Sequence, residues 1–403
     1  MRILIVSHYF PPEIGAPQTR LSELARFWVE SGEEVTVLTG MPNHPTGIVP
    51  PAYKGKVRVR ESVDGYRVVR TWLYATPNEG FVKKTLGHLS FMATSVLLGT
   101  GLVGKPDVVV VSSPTFFSIG SAWLLSRIKR ARLVVEVRDL WPAIFVELGV
   151  LTNRRLIRLL ESFELRAYRA ADEVVVVSEG FKDHITHRGI PSAKVHTIPN
   201  GVDLDRFAPA ETVMPDARRH LGAGPEDTLV LYIGAHGISH GLTAIADAAH
   251  VLRDEPIKFA FVGEGAAKRE LEARVSELNL TNVSLLAGVP SADVPGIVAS
   301  ADICLVPLRD VPLFSTFIPS KLFEFLAAGK AVVGAVRGEP ARILAEAGAY
   351  VVEPENVPAI VEAIRHLAAD PDERGRMGER GREFVESRFS RATLADTYRQ
   401  LLR

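Results

Sequence analysis

Lys321 and Glu324 stand three residues apart in Pro319-Ser320-Lys321-Leu322-Phe323-Glu324-Phe325-Leu326-Ala327-Ala328-Gly329-Lys330. On a helix that spacing puts an ammonium and a carboxylate on neighbouring parts of one face. The free N–H groups at a helix start, with their partial positive charge, favour phosphate. Ser320 adds a hydroxyl at that end and Lys321 a full charge. A carboxylate one turn further in can accept from two hydroxyls of a ribose. The same residues also fit a surface helix with one solvated Glu and one solvated Lys, because most charged helix residues are simply exposed. A second charged set, Arg138 and Asp139, lies in Glu136-Val137-Arg138-Asp139-Leu140-Trp141-Pro142 after an apolar strand. Ligands of open parallel sheets bind outside the carboxyl ends of strands; the alternative is an Arg138–Asp139 pair holding a loop.

Glycines mark three further places. Gly234-Ala235-His236-Gly237-Ile238-Ser239-His240-Gly241 follows an apolar run, so its backbone N–H groups suit phosphates. His236 and His240 lack a third ligand and a helix to align them, and no metal site is expected. Gly263-Glu264-Gly265 and Gly288-Val289 end further strands and belong at the same sheet edge. Gly288-Val289 can present backbone groups to a base, against an ordinary turn.

The elements that must hold these residues repeat twice. Ile3–Val6 reads as a buried parallel strand. A proline-rich loop containing Ile14, Gly15 and Ala16 follows, then a helix over Arg20–Val29 and a strand at Val35–Thr39. That is a βαβ unit. Its loop is not GxGxxG, which argues against a nicotinamide cofactor. More strands are expected at Val57–Arg60, Tyr66–Thr71, Val108–Ser112, Leu133–Val137 and Val174–Val177, with Ser178 capping the next helix. Thr85–Gly104 is a run of twenty residues without a charge. Its glycines, hydroxyls and His88 argue against a membrane span. It fits a covered crossover helix, or one partly exposed at a membrane surface with Lys83, Lys84 and Lys105 toward lipid phosphates. A linker with Pro209, Pro215 and Pro225 runs to about Asp227. The strand, glycine loop and helix pattern then restarts at Leu229. Pro319 suits a helix start and Gly329 a left-handed helix end.

A chain of 403 residues is long for one core. Lys and Arg number 47 and Asp and Glu 47, so nothing favours general nucleic-acid binding. The single cysteine, Cys304, lies in an apolar run and reads as a buried, inert thiol. The start, Met1-Arg2-Ile3-Leu4-Ile5-Val6, lacks a signal peptide's long apolar region, and a cytoplasmic location is expected.

Ile198-Pro199-Asn200-Gly201-Val202-Asp203, Tyr232-Ile233-Gly234, Val262-Gly263-Glu264-Gly265, Ala301-Asp302 and the Lys321–Gly329 helix resemble, in order and spacing, the family 4 retaining glycosyltransferases of GT-B fold. Arg138–Pro142 and Pro319–Glu324 look like the branch that builds bacterial surface polysaccharides, the WbuB-type aminosugar transferases. The resemblance spans almost the whole chain. It implies an α/β architecture of two doubly wound Rossmann-like domains facing across a cleft: residues 1–200 for the acceptor, 201–385 for the nucleotide sugar, and a helix in 386–403 packing back on the first. It implies sugar transfer from a nucleotide diphosphate sugar, first a UDP-N-acetyl aminosugar, to a lipid-linked saccharide on the inner membrane face. No metal or other cofactor is implied. Glu324 matches the ribose-binding Glu. Ser320 and Lys321 match the diphosphate end of the helix, and Gly15, with Ala16, the loop near the transferred sugar. Asp139 matches the second residue of a His-Asp pair at the reaction centre, and Arg138 replaces the His. Thr316 stands where another Glu is common. Ala235 and His240 stand where an Arg and a Lys usually meet the diphosphate; Arg138, Lys321 and the histidines are expected to offset part of that missing charge. Two alternatives remain open: an epimerase of the same architecture, which would turn over donor without acceptor, and a non-catalytic nucleotide-binding partner, which would bind without turnover.

Overall fold

The computed structural model describes residues 1–13, 15–44, 46–77, 80–113, 116–208 and 215–403. Ile14 of the first loop and Pro209 of the expected linker lie outside the described residues, as does the Ala16 side chain. Contacts divide the chain into two units, Met1–Asn200 with Arg391–Arg403, and Gly201–Ser390.

In the first unit the β-branched apolar runs become β1 (Arg2–Val6), β2 (Glu34–Gly40), β3 (Arg58–Val63), β4 (Tyr66–Thr71), β5 (Val108–Ser112), β6 (Arg132–Val137), β7 (Glu173–Val176) and β8 (Val195–Thr197). They lie in the order β3-β4-β2-β1-β5-β6-β7-β8. β1 pairs in parallel with both β2 and β5, as Ile3↔Val35 and Ile3↔Val108. The order reverses there, and that is where a doubly wound sheet opens a binding crevice. β3 differs from expectation: it runs to Val63 and pairs antiparallel with β4. The cause is Asp64-Gly65, both at positive φ, a two-residue turn whose twist suits a hairpin.

Helices α1 (Ala16–Glu30), α2 (Gly80–Leu97), α3 (Phe116–Lys129), α4 (Ala143–Glu147), α5 (Arg154–Ala170) and α6 (Glu179–His187) cover this sheet. Ser178 caps α6 by accepting from the Phe181 N–H at 3.2 Å. α2 is the crossover from β4 to β5, and turns replace helix after Leu97. Among the described residues no helix is long and apolar enough to cross a membrane. The last helix, Arg391–Leu402, packs on α1. There the Trp28 indole donates to the Ala395 carbonyl at 2.9 Å, and its ring meets Tyr398 edge-on.

The second unit holds β9 (Thr228–Ile233), β10 (Ile257–Val262), β11 (Val283–Leu286), β12 (Ile303–Pro307), β13 (Ala331–Ala335) and β14 (Tyr350–Val352). Their order is β11-β10-β9-β12-β13-β14, with every pair parallel. β9 sits at the reversal. Cys304, in β12, is fully buried, and burial pushes its thiol up to about 12. The stretch before Asp227 is less irregular than expected. It contains the helix Pro215–His220, where Arg218 donates to the Ser300 and Asp227 carbonyls and pairs with Asp302.

Candidate active site

In the second unit the helix expected around Lys321 runs Lys321–Ala327. It ends as the sequence suggests. Gly329 is left-handed (φ 65°), its N–H reaches the Leu326 carbonyl, and the Lys330 N–H reaches that of Phe325. Ser320 is its first flanking residue, though its hydroxyl caps nothing. The solvated surface helix is excluded: Lys321, Leu322, Phe323, Phe325, Leu326 and Ala327 are all buried, and Glu324 is partly buried. Thr316, where a second Glu was missing, donates its hydroxyl to the Leu313 carbonyl within its own turn.

Lys321 reaches back beneath the glycine loop of β9. Its Nζ lies 3.6 Å from the centroid of the Tyr232 ring and makes no hydrogen bond. A Cβ on Gly234 would sit 3.1 Å from that Nζ, so a bare backbone is what admits the ammonium. Gly263 and Gly265 act one layer out. Cβ atoms there would fall 1.9 Å from the Gly234 carbonyl oxygen and 2.3 Å from that of His236. These glycines let the loops after β9 and β10 pack backbone to backbone. The His236 N–H donates to the Glu264 carbonyl at 2.9 Å. Lys268, which no local motif singles out, ties the loops by donating to the Gly263 and Leu286 carbonyls and to Glu264. Gly288 is exposed and its N–H helps hold the Glu264 carboxylate low, after Lys268; Val289 beside it is partly buried.

The charges depart from expectation. Burial pushes Lys321 down to about 7, with Glu324 opposing the fall. Burial, with Lys268 and Lys321 nearby, pushes His236 down to about 4, and burial beside Lys321 takes His240 to about 3. Both histidines are therefore neutral near pH 7, and the cationic offset expected of them is not available. They offer neutral ring N–H donors instead. Neither ring nitrogen of the fully buried His236 has a partner. Among the described residues no cluster of three His, Cys, Asp or Glu is arranged for a metal.

In the first unit, Gly15 precedes α1 in extended backbone, and a Cβ there would fall 2.5 Å from the Gln18 Oε1. Arg20 on α1 donates to the Glu136 carboxylate at 2.9 Å and to the Pro199 and Ile198 carbonyls. This buried pair fixes the end of β6, where Arg138 and Asp139 emerge. The loop-holding pair considered for those two does not form: among the described residues no ion pair joins them. The Arg138 N–H donates to the Ser113 hydroxyl at 2.9 Å, while its Nε and Nη1 are buried without partners. Burial lowers the guanidinium to about 10, with Glu136 pulling the other way, and it stays charged at neutral pH. Burial raises Asp139, opposed by Arg138.

Two further groups at this sheet edge escaped the sequence. Glu13 accepts from the Asn43, His44 and Phe10 N–H groups at 2.8–3.0 Å. Buried His8 meets Tyr9 and Phe91 edge-on and His88 at a tilt, and burial, then His88 and His44, hold it well below the usual histidine range. Nothing local marks either one, because most of their partners, Asn43, His44, His88 and Phe91, come from other segments.

Residues 15–201 match the model of a glycosyl transferase 4-like domain, and residues 213–384 that of glycosyl transferases group 1. The chain is 28% identical over 380 residues to WcaI of Escherichia coli K12, named for colanic acid biosynthesis, covering 92% of this chain and 93% of that one. Among solved structures, the sucrose-phosphate synthase of Thermosynechococcus elongatus superposes with a TM-score of 0.77 at 20% identity, covering 99% and 98% of the two chains. Anabaena HepE, solved with UDP-glucose, superposes at 0.74 and 18% identity, covering 100% and 99%.

Proposed function

The chain belongs to the glycosyltransferases whose two domain models it matches, with the GT-B fold, and from that premise we propose that it is a retaining, metal-independent family 4 enzyme. In this proposal it moves a sugar from a nucleotide diphosphate sugar, first a UDP-N-acetyl aminosugar, to a lipid-linked saccharide in surface polysaccharide synthesis. The observation that carries it is the unpartnered, buried Lys321 ammonium between the Tyr232 ring and bare Gly234, beside the unpartnered His236. A buried polar group without a partner is costly and calls for a ligand. A diphosphate supplies acceptor oxygens for each. The name of WcaI supports a polysaccharide role, and the UDP-glucose of HepE supports a uridine donor.

Departure of the nucleotide diphosphate is the demanding step, and groups already aimed at its developing charge are the main resource. Lys321, the neutral histidine N–H groups and the backbone N–H groups of Ser320 and Gly265 fill that role, while Gly234 and Gly263, whose own N–H groups donate to the Val262 and Leu286 carbonyls, keep the backbone bare beside them. Glu324 accepts from the ribose hydroxyls. Gly15 and Ala16 lie at the transferred sugar, and Gly288-Val289 at the base. Arg138 adds a fixed charge at the reaction centre, and Asp139 positions the acceptor or the sugar. The acceptor hydroxyl attacks on the face that the leaving group vacates, and the departing phosphate takes its proton. A nucleotide-binding partner without activity is the second reading; Ala235, which offers no cation, favours it.

A thermal-shift screen against UDP, GDP, ADP and dTDP identifies the base, since a ligand bound by the fold raises its melting temperature by mass action. Turnover of the matching aminosugar donor with a lipid-linked acceptor, unchanged by a chelator, is the expected result. Binding without turnover across the donor panel would favour the second reading.

A further inference from the structure

The proposed donor site has two ends in the second unit, and one turn holds both. Residues 203–207 form that turn. The Phe207 N–H donates to the Asp203 carbonyl at 3.2 Å, and Phe207 is buried. The Asp203 carboxylate accepts from the Arg206 N–H at 3.4 Å. The Arg206 guanidinium then leaves the turn over the Phe207 ring. It donates to the Ser291 carbonyl and, at 2.6 Å, to the Ser291 hydroxyl. Ser291 lies two residues beyond Val289. On the other side of Gly288-Val289, Lys268 donates to the Leu286 carbonyl at 3.3 Å. The base loop is thus pinned at both ends, and the planar fork of an arginine holds two acceptors with little freedom left.

The same turn is tied to the helix that carries Glu324. Arg382, on the helix Pro371–Arg388, sets one guanidinium nitrogen against the carbonyls of Leu204, Phe207 and Ala327, at 3.3, 3.0 and 2.6 Å. That helix abuts the end of Lys321–Ala327 closely: a Cβ on Gly378 would fall 2.0 Å from the Gly329 carbonyl oxygen. Just before the turn, the Val202 N–H donates to the Phe389 carbonyl at 2.9 Å. The Phe389 ring meets that of Phe323 at 4.6 Å. The turn is therefore joined to the Glu324 helix through Ala327 and through Phe323, and to the base loop through Arg206.

We propose that Arg206 is a positioning residue that fixes the span between the base loop and Glu324. Through that span it makes the site select one size of base, the pyrimidine of the proposed uridine donor. A purine carries a second fused ring. A span set for one class displaces the ribose and diphosphate of the other, and a small misplacement is costly. Arg206 need not touch the nucleotide. The inference rests on the donor proposal, in which Gly288-Val289 meets the base and Glu324 the ribose.

Calorimetric titration of the full chain with UDP, GDP and inorganic pyrophosphate tests this, on the wild type, Arg206→Gln, Arg206→Lys and Ser291→Ala. The wild type should favour UDP over GDP by about tenfold or more, and Arg206→Gln should narrow that ratio about tenfold by weakening UDP. Arg206→Lys keeps a donor for Ser291, and Ser291→Ala keeps the carbonyl acceptor, so each should narrow it less. Pyrophosphate affinity, which reads the Lys321 end alone, and the ligand-free melting temperature should stay near wild type. An unchanged ratio in Arg206→Gln would overturn the proposal. So would equal losses of UDP and pyrophosphate, the mark of an arginine that only stabilises the fold. A wild type that binds both nucleotides equally would overturn it as well. A preference for GDP that Arg206→Gln abolishes would support the fixed span and sink the uridine reading instead. No binding of either nucleotide would remove the donor proposal and this inference with it.

Discussion

Each unit places a buried cation beyond the carboxyl ends of its parallel strands, yet the cations differ in kind. Arg138 follows β6, two strands from β1 in the first sheet, with Nε and Nη1 unsatisfied. Lys321 sits under the loop of β9 at the reversal of the second. Burial takes the guanidinium only to about 10, so it is charged at every physiological pH. The same physics takes the ammonium to about 7, where it is charged half the time. Desolvation thus leaves a permanent charge in one unit and a conditional one in the other. Under the proposed function, a conditional charge suits a diphosphate that is bound and later released.

The largest expected effect tests the permanent charge. Arg138→Ala should lower kcat by about 100-fold or more, the range for removing a preorganised donor from a developing charge. A nearly normal kcat would end the comparison on that side. Glu324→Ala should raise the donor KM by about 10–100-fold through loss of hydrogen bonds to a charged group, with kcat much less affected; steady-state kinetics separates the two. Smaller still is the pH effect, which sharpens the contrast. Diphosphate binding favours protonated Lys321, so UDP affinity should hold below pH 7 and fall by up to about tenfold per pH unit above it. Lys321→Arg should flatten that profile in a calorimetric titration. The free fold responds with opposite sign. Between about 7 and the ordinary lysine value the unfolded chain holds the proton that the fold has lost, so stability rises with pH. The smallest effect is structural. Gly263→Ala would force a Cβ against the Gly234 carbonyl oxygen and should cost about 1–3 kcal/mol, seen in chemical denaturation.

Much of the second site was legible. Pro319 to Gly329 carries its own helix start and stop, and the glycines after β9 and β10 announce close backbone approach. What sequence could not supply was charge state. His236, His240 and Lys321 looked like three cations, because the formal charge of a side chain says nothing about the burial that removes it. Tyr232 was hidden in a strand whose pattern reads only as apolar, though its ring is the floor under Lys321. The Arg20–Glu136 pair joins residues 116 apart, and no local pattern reports such a partner. The β3–β4 hairpin is a different case. Its Asp64-Gly65 turn is a strong local signal, and the antiparallel edge could have been expected from it.

The account rests most heavily on Lys321 as the cation of the diphosphate site, and titration of UDP into the wild-type chain and Lys321→Met at about pH 6.5, where the ammonium is mostly charged, tests it directly. The account predicts clear binding to the wild type and a loss of about 10-fold or more in the variant, whose melting temperature without ligand is kept or raised because a buried charge has been removed. UDP binding of equal strength to both chains would contradict it.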